Sequence, residues 1–169
     1  MPVLAVVLLM FGSLLPSPEP AFRVLTSPPD RVPAAVFGWP VSPPRVVRRF
    51  EPPPQPWLAG HRGVDLAVPP GTPVRAAGDG VVRYAAVLFG RGVVSLAHPG
   101  GLRTTYQPVT SALRAGDRVR AGDVIGTLDG GHPACPDAAC LHWGLRRGDA
   151  YLDPLALLGV GQVRLLPLA

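Results

Sequence analysis

The sequence predicts an all-β fold, a compact antiparallel β-sandwich or partly closed barrel, for the chain that follows residue 60. Short apolar runs alternate there with Gly, Pro and Asp, which is typical of short strands joined by tight turns. A Gly-Asp pair recurs at 78–79, 116–117 and 122–123, where glycine permits the positive φ of a tight reversal. No window shows sustained helical periodicity, so no long helix is expected.

The individual elements follow from this alternation of apolar runs and turn residues. At 169 residues the chain is long enough for one domain with its own core and hardly for two. Between residues 153 and 158, Asp153 followed by Pro154 predicts one or two capped helical turns. Strands are predicted at Val64–Ala67, Pro73–Ala77, Gly80–Leu88, Gly92–Ala97, Arg103–Gln107, Arg118–Arg120, Val124–Leu128 and Cys140–Arg146.

The first third of the chain differs in composition from the rest. Residues 3–15 form an apolar run too short to span a bilayer comfortably, which indicates a signal peptide at 1–21. A Pro-rich linker is expected at 22–36, the domain at 37–160 and a C-terminal tail at 161–169. The aromatic segments 37–41 and 46–50, at the start of this domain, are expected to pack against the rest of it as short irregular strands. These assignments predict a secreted, cell-wall-associated protein with no stable transmembrane segment after processing.

The charged residues restrict the classes of function. The formal net charge is +5, and every basic residue is arginine. A modest positive charge suits an anionic cell wall or membrane surface. The arginines are scattered and no nucleic-acid motif is present, so no nucleic-acid partner is expected. Attachment carriers of the biotinyl-lipoyl type have similar Gly-punctuated strands, but they require a modifiable lysine, which this chain lacks.

Two segments carry side chains of the metal-binding type. In extended strands, His61 and Asp65 point to one face, and Cys140 and His142 likewise share a face. Two imidazoles and a carboxylate meeting on a surface relieved by Gly63 make a three-ligand zinc site with an open fourth position. The alternative is that these residues lie near turns and hold no metal.

These segments resemble the lysostaphin/LytM-type zinc metallopeptidases, which cut the peptide cross-links of bacterial peptidoglycan. The resemblance implies the family's small β-sandwich over about residues 37–158, a zinc ion held by His61, Asp65 and His142, and peptidoglycan as the substrate. It rests on the motifs HRGVDL (61–66), PPGTPV (69–74), AGDGVV (77–82), GDVIG (122–126), LHWGLR (141–146) and LDPL (152–155).

Two positions depart from the family pattern. Cys140 stands where the family has the first histidine of a His-x-His pair, and Pro108 stands where it has the histidine of a Tyr-x-His segment. Because both of those histidines assist catalysis, the resemblance implies weak activity. The alternative is a degenerate relative that binds peptidoglycan or a partner wall hydrolase without cutting. His132, in a Gly-rich loop that the family places near the cleft, is the candidate replacement, whereas His98 is expected at a hairpin turn.

The two cysteines leave three possibilities open. An even number of cysteines in an exported chain favours a disulfide between Cys135 and Cys140, which would hold the loop that leads into His142. Alternatively, the Cys140 thiolate is a fourth zinc ligand, which would make the site structural rather than catalytic. A free buried thiol is the third possibility.

Overall fold

The structure is a computed structural model and describes residues 36–55, 57–130, 135 and 139–160. Within these ranges the fold is all-β, as predicted, with two antiparallel sheets and two short 3-10 helices at Pro99–Gly101 and Pro154–Leu158. The predicted signal peptide, most of the linker and the C-terminal tail lie outside the described residues and stay predictions. No helix in the described part of the chain is long and apolar enough to cross a membrane.

The larger sheet consists of eight strands. They are β1 (Val46–Arg48), β2 (Gly63–Ala67), β4 (Gly80–Leu88), β5 (Arg91–Ala97), β6 (Leu102–Gln107), β8 (Arg118–Val119), β10 (Cys140–Arg147) and β11 (Ala150–Leu152). The smaller sheet contains β3 (Pro73–Arg75), β7 (Val109–Thr110) and β9 (Val124–Leu128). The larger sheet runs in the order β1-β2-β10-β6-β5-β4-β8, with β11 on β10, and the smaller in the order β3-β9-β7. Because the larger sheet does not close on itself, the fold is a sandwich.

Every strand predicted downstream of residue 60 is present, with ends that differ by at most two residues. Segment 46–50 contains the short strand β1, but segment 37–41 forms no strand, contrary to expectation. The reason is that Pro40 has no N–H to donate to a ladder. The segment makes isolated bonds instead, from Gly38 N–H to the Ala77 carbonyl and from Arg75 N–H to the Pro40 carbonyl. Val41 is nevertheless buried in the core.

The core lies between the two sheets and fixes which face of the larger sheet each residue occupies. Leu141 and Trp143 of β10 and Thr104 and Tyr106 of β6 are fully buried on the core face. Because successive side chains of a strand point to opposite faces, His142 lies on the outer face, away from the core. Further core residues come from both sheets: Val64, Leu66, Val74, Val82, Val94, Leu96, Val109, Ile125 and Leu128.

Candidate metal centre

The structure brings His61, Asp65 and His142 together on the outer face of the larger sheet. Asp65 lies in β2 directly opposite His142 in β10. His61 lies just before β2, where it pairs with Glu51 in an isolated β-bridge. The candidate ligand atoms of the three residues all lie within 4.8 Å of one another. The antiparallel β2–β10 ladder therefore joins two segments that are far apart in the sequence.

With both imidazole rings neutral, one close contact in this cluster is left without a proton. The Nδ1 atom of His61 lies 2.7 Å from the Arg49 carbonyl oxygen, which can only accept, so Nδ1 carries the proton. In the neutral ring, Nε2 is then an acceptor, yet it lies 3.0 Å from the Oδ1 atom of Asp65. The Nδ1 atom of His142 lies 2.8 Å from the same Oδ1 and 3.1 Å from His61 Nε2. A nitrogen lone pair and a carboxylate oxygen this close require a cation or an additional proton between them.

The Asp65 carboxylate is fully buried. Its second oxygen, Oδ2, is also buried and has no hydrogen-bond partner among the described residues. Burial on its own would raise the pKa of Asp65, but hydrogen bonds and charges of His142 and His61 outweigh it and hold the pKa below its usual range. A buried, ionised carboxylate with one unsatisfied oxygen fits a cation ligand. Two imidazole nitrogens and a carboxylate oxygen are also the donor set that zinc accepts.

Gly63 leaves room for the His142 ring on the outer face of the larger sheet. A Cβ atom at Gly63 would lie 2.8 Å from His142 Nε2 and 2.5 Å from the Trp143 carbonyl oxygen, too close for any other residue. At Gly144, its neighbour across the ladder, the nearest atom to a Cβ would be the Arg62 carbonyl oxygen at 3.5 Å. The side chain of His142 is 15% exposed whereas that of Asp65 is 0% exposed, so the cluster is open to solvent on the His142 side.

The two cysteines lie beside this cluster and are bonded to each other. The structure contains the predicted disulfide between Cys135 and Cys140. Cys140 is fully buried and lies two residues before His142 on β10. A disulfide sulfur carries no thiolate, so Cys140 as joined here is neither a fourth metal ligand nor a free thiol.

Neither position that departs from the family pattern offers an imidazole. Pro108 is buried and follows β6 directly. Gln107, which was not predicted as a site residue, lies directly opposite His142 in the β6–β10 ladder. Because Tyr106 faces the core, Gln107 lies on the outer face with His142. Strand alternation places Gln107 on the opposite face from Tyr106, but the sequence does not show that β10 is the neighbouring strand. The proposed replacement, His132, lies outside the described residues.

His98 belongs to a separate, buried network. Its Nδ1 donates to the Asp79 carbonyl oxygen at 2.8 Å, and its Nε2 lies 2.7 Å from the Thr104 hydroxyl. The Thr104 hydroxyl lies 2.9 Å from the Tyr106 hydroxyl, which accepts the Ala77 N–H at 3.0 Å. Burial raises the pKa of Tyr106 to about 12 and lowers the pKa of His98. Both groups are therefore neutral and structural near neutral pH.

The chain is similar to known peptidases over the region that holds the cluster. The profile of Peptidase family M23 matches residues 59–154. An uncharacterized protein of Mycobacterium tuberculosis is 52% identical over 153 residues, 88% of this chain and 61% of that protein. The peptidoglycan DD-endopeptidase ShyC of Vibrio cholerae is 40% identical over 75 residues, 43% of this chain and 17% of that protein. The solved structure of Helicobacter pylori Csd3 matches with a TM-score of 0.59 at 27% identity, over 76% of this chain and 35% of that chain. This chain thus spans less than two thirds of the length of each relative.

Proposed function

Because the chain belongs to Peptidase family M23, we propose that it binds one zinc ion through His61, Asp65 and His142 and acts on the peptide cross-links of bacterial peptidoglycan. The observation that carries the zinc assignment is the convergence of His61 Nε2, Asp65 Oδ1 and His142 Nδ1 at 2.8–3.1 Å, beside the buried and unsatisfied Oδ2 of Asp65. The substrate assignment is supported by the similarity to a peptidoglycan DD-endopeptidase. The apolar run near the N-terminus supports export to the cell wall.

When bound, zinc supplies a Lewis acid that polarises a scissile carbonyl and lowers the pKa of water. The chain's own residues hold this centre rigid. The Arg49 carbonyl accepts from His61 Nδ1 and so directs Nε2 toward Asp65. The β2–β10 ladder fixes Asp65 opposite His142, and Gly63 leaves room for the His142 ring. These contacts orient the ligands without help from the substrate.

Gln107 is the polar side chain that we assign to the substrate. A carboxamide has two N–H donors and does not titrate, so it suits an oxygen that gains negative charge during the reaction. Cross-strand neighbours on one face have Cβ atoms about 4.5–5.5 Å apart, which places the Gln107 carboxamide within reach of a carbonyl held beside His142. Gln107 cannot transfer a proton at neutral pH.

The expected activity is weak because the proton-transfer groups of the family are missing. Pro108 has no titratable group, and Cys140 in a disulfide has none either. General acid–base groups contribute about 10²–10⁴-fold to rates, so their loss leaves a metal centre with little turnover. The same two positions support a second candidate function, in which the protein binds peptidoglycan or a partner wall hydrolase without cutting.

The test compares peptidoglycan digestion by the purified chain and by a variant with Pro108→His, Cys140→His and Cys135→Ala, the last change removing a stray thiol. Fragments released from purified peptidoglycan are measured with and without a zinc chelator. We expect very slow release by the unaltered chain and faster, chelator-sensitive release by the variant. The matched control adds His61→Ala to the variant and should abolish release.

The outcomes separate the two candidate functions. Co-sedimentation with peptidoglycan, without release by either protein, would favour binding without cutting. Failure of both proteins to sediment with or digest peptidoglycan would contradict the substrate assignment. Rapid zinc-dependent release by the unaltered chain would show that the missing imidazoles are replaced elsewhere, and His132→Ala would then be the first variant to measure.

A further inference from the structure

A second concave site lies at the opposite end of the larger sheet from β1 and β2, where β4 pairs with the edge strand β8. The cavity there has a volume of about 980 Å³ and opens to solvent. Val81 and Ala97 contribute to its wall, and Arg83, Arg118 and Arg120 surround it. None of the candidate zinc ligands lines this cavity, so it is a separate site.

The strand geometry explains why the three arginines reach one cavity. Val119 is buried, so its neighbours Arg118 and Arg120 both point away from the core. Arg118 lies directly opposite Val81 of β4. Val82 is buried, whereas Arg83, at an irregularity in the β4–β5 pairing, is exposed. Arg83 on β4, Arg118 on β8 and Arg120 directly after β8 all line the cavity.

Three arginines and two carboxylates, Asp79 and Asp123, line the cavity. None of the three arginines forms an ion pair with another residue in the described part of the chain. Two carboxylates at the rim have structural roles: Asp79 accepts from the Ala121 N–H, and Asp123 accepts from the Arg120 N–H, both at 2.8 Å. The lining therefore carries a net positive charge, which favours the binding of an anion.

We propose that this cavity binds a phosphate group, as a discrete phosphate or as part of a polymer of phosphate groups. Guanidinium groups form bidentate hydrogen bonds with oxyanions, and a phosphate has enough charge and oxygens to engage more than one of them. His98 also borders the cavity, but both of its ring nitrogens already have protein partners, so the arginines provide the binding groups.

Isothermal titration calorimetry with the full chain tests this site. The probes are inorganic phosphate, linear polyphosphate and polyglutamate, the last as a polymer of carboxylates. We expect phosphate binding that weakens at least about 10-fold in Arg118→Gln and in Arg83→Gln, because each removes a charged hydrogen bond. The matched control is Arg91→Gln, which removes the same charge from an exposed position outside the cavity and should change affinity less than about 2-fold. His142→Ala should also leave phosphate binding unchanged, which separates this site from the zinc centre.

Tighter binding of polyphosphate than of phosphate, with the same arginine dependence, would identify a phosphate within a polymer as the ligand. Equal binding of the two probes per phosphate group would identify a discrete phosphate. Three results would overturn the proposal: no measurable phosphate binding, equal weakening by Arg91→Gln, or polyglutamate binding as tightly as polyphosphate.

Discussion

Two buried imidazole clusters on the larger sheet differ in whether their hydrogen bonds can be completed. In the cluster of His98, Thr104 and Tyr106, a proton can be placed between every pair of atoms in contact, from the Ala77 N–H to the Asp79 carbonyl. In the cluster of His61, Asp65 and His142, the neutral His61 ring presents its Nε2 lone pair to the Asp65 carboxylate, whose second oxygen has no partner among the described residues. The first cluster is complete as protein alone, whereas the second has room for either a cation or an additional proton.

The two clusters lie on opposite faces of neighbouring strands. Thr104 and Tyr106 are buried on the core face of β6. His142 lies on the outer face of β10, where its side chain remains 15% exposed. The polar side-chain atoms of His98, Thr104 and Tyr106 are satisfied by one another and by backbone groups. A group on the outer face can be completed by a ligand from solvent. We therefore expect replacements in the His142 cluster to affect mainly metal binding, and replacements in the His98 cluster to affect mainly stability.

The largest expected difference is in zinc affinity. His142→Ala removes one of three ligands and should weaken zinc binding at least about 100-fold, since even groups behind a ligand contribute about 10–100-fold. His98→Gln should change zinc affinity less than about 3-fold, because His98 takes no part in the proposed zinc centre. Competition with a chromophoric chelator measures both. Equal losses in the two variants would remove the distinction between the clusters.

In metal-free protein, we expect His98→Gln to lower the unfolding free energy more than His142→Ala does. His98→Gln leaves buried polar partners unsatisfied, which costs about 1–3 kcal/mol of unfolding free energy. His142→Ala removes a partly exposed ring whose contact with Asp65 water can replace, so it should cost less than about 1 kcal/mol without metal. Urea unfolding in the presence of a chelator compares them. A larger loss in His142→Ala would indicate that its cluster is held by protons alone.

The two glycines on the outer face provide a finer test. Gly63→Ala should displace the His142 ring and weaken zinc binding about 10-fold, since an overpacked site typically costs 1–3 kcal/mol. Gly144→Ala should have little effect, because its Cβ would meet only ordinary contacts at 3.5 Å and beyond. Zinc titrations of the two variants give the comparison. Wild-type affinity in Gly63→Ala would show that the His142 ring is not held where the structure has it.

The smallest effect is a pH dependence of stability that arises from His98. Burial lowers the pKa of His98 by more than the hydrogen bond to the Asp79 carbonyl and the Asp79 charge raise it. The unfolded chain therefore binds a proton near the ordinary pKa of about 6.5 while the folded chain does not. Unfolding free energy should fall between about pH 7 and pH 5, and less steeply in His98→Gln. Parallel slopes in the two proteins, measured by urea unfolding, would exclude His98 as the source.

The sequence was sufficient for most of the fold because its strands are short apolar runs separated by Gly, Pro and Asp. Asp153 also caps its turn as predicted, accepting from the Leu155 N–H at 2.9 Å. Two strands were missed, β7 and β11, because runs of two and three residues carry no periodic signal. Segment 37–41 was predicted as a strand from its aromatics, but its proline prevents a continuous ladder.

The site was less predictable because it depends on which strands pair. Alternation placed His61 with Asp65, but only the β2–β10 ladder brings His142 opposite Asp65. Gln107 was missed for the same reason, since its neighbour on β10 is distant in the sequence. The arginines around the second cavity are scattered along the sequence, so the sequence did not predict that they lie together. The β4–β8 pairing is what brings Arg83 and Arg118 together.

The zinc content of the chain tests the proposed metal centre most directly. The full chain is freed of metal with a chelator and titrated with zinc by calorimetry, and the bound zinc is then counted by elemental analysis after gel filtration. We expect about one zinc per chain, with binding lost in the double variant His61→Ala, His142→Ala. The absence of bound zinc in the unaltered chain, or full retention of zinc by the double variant, would contradict the assignment.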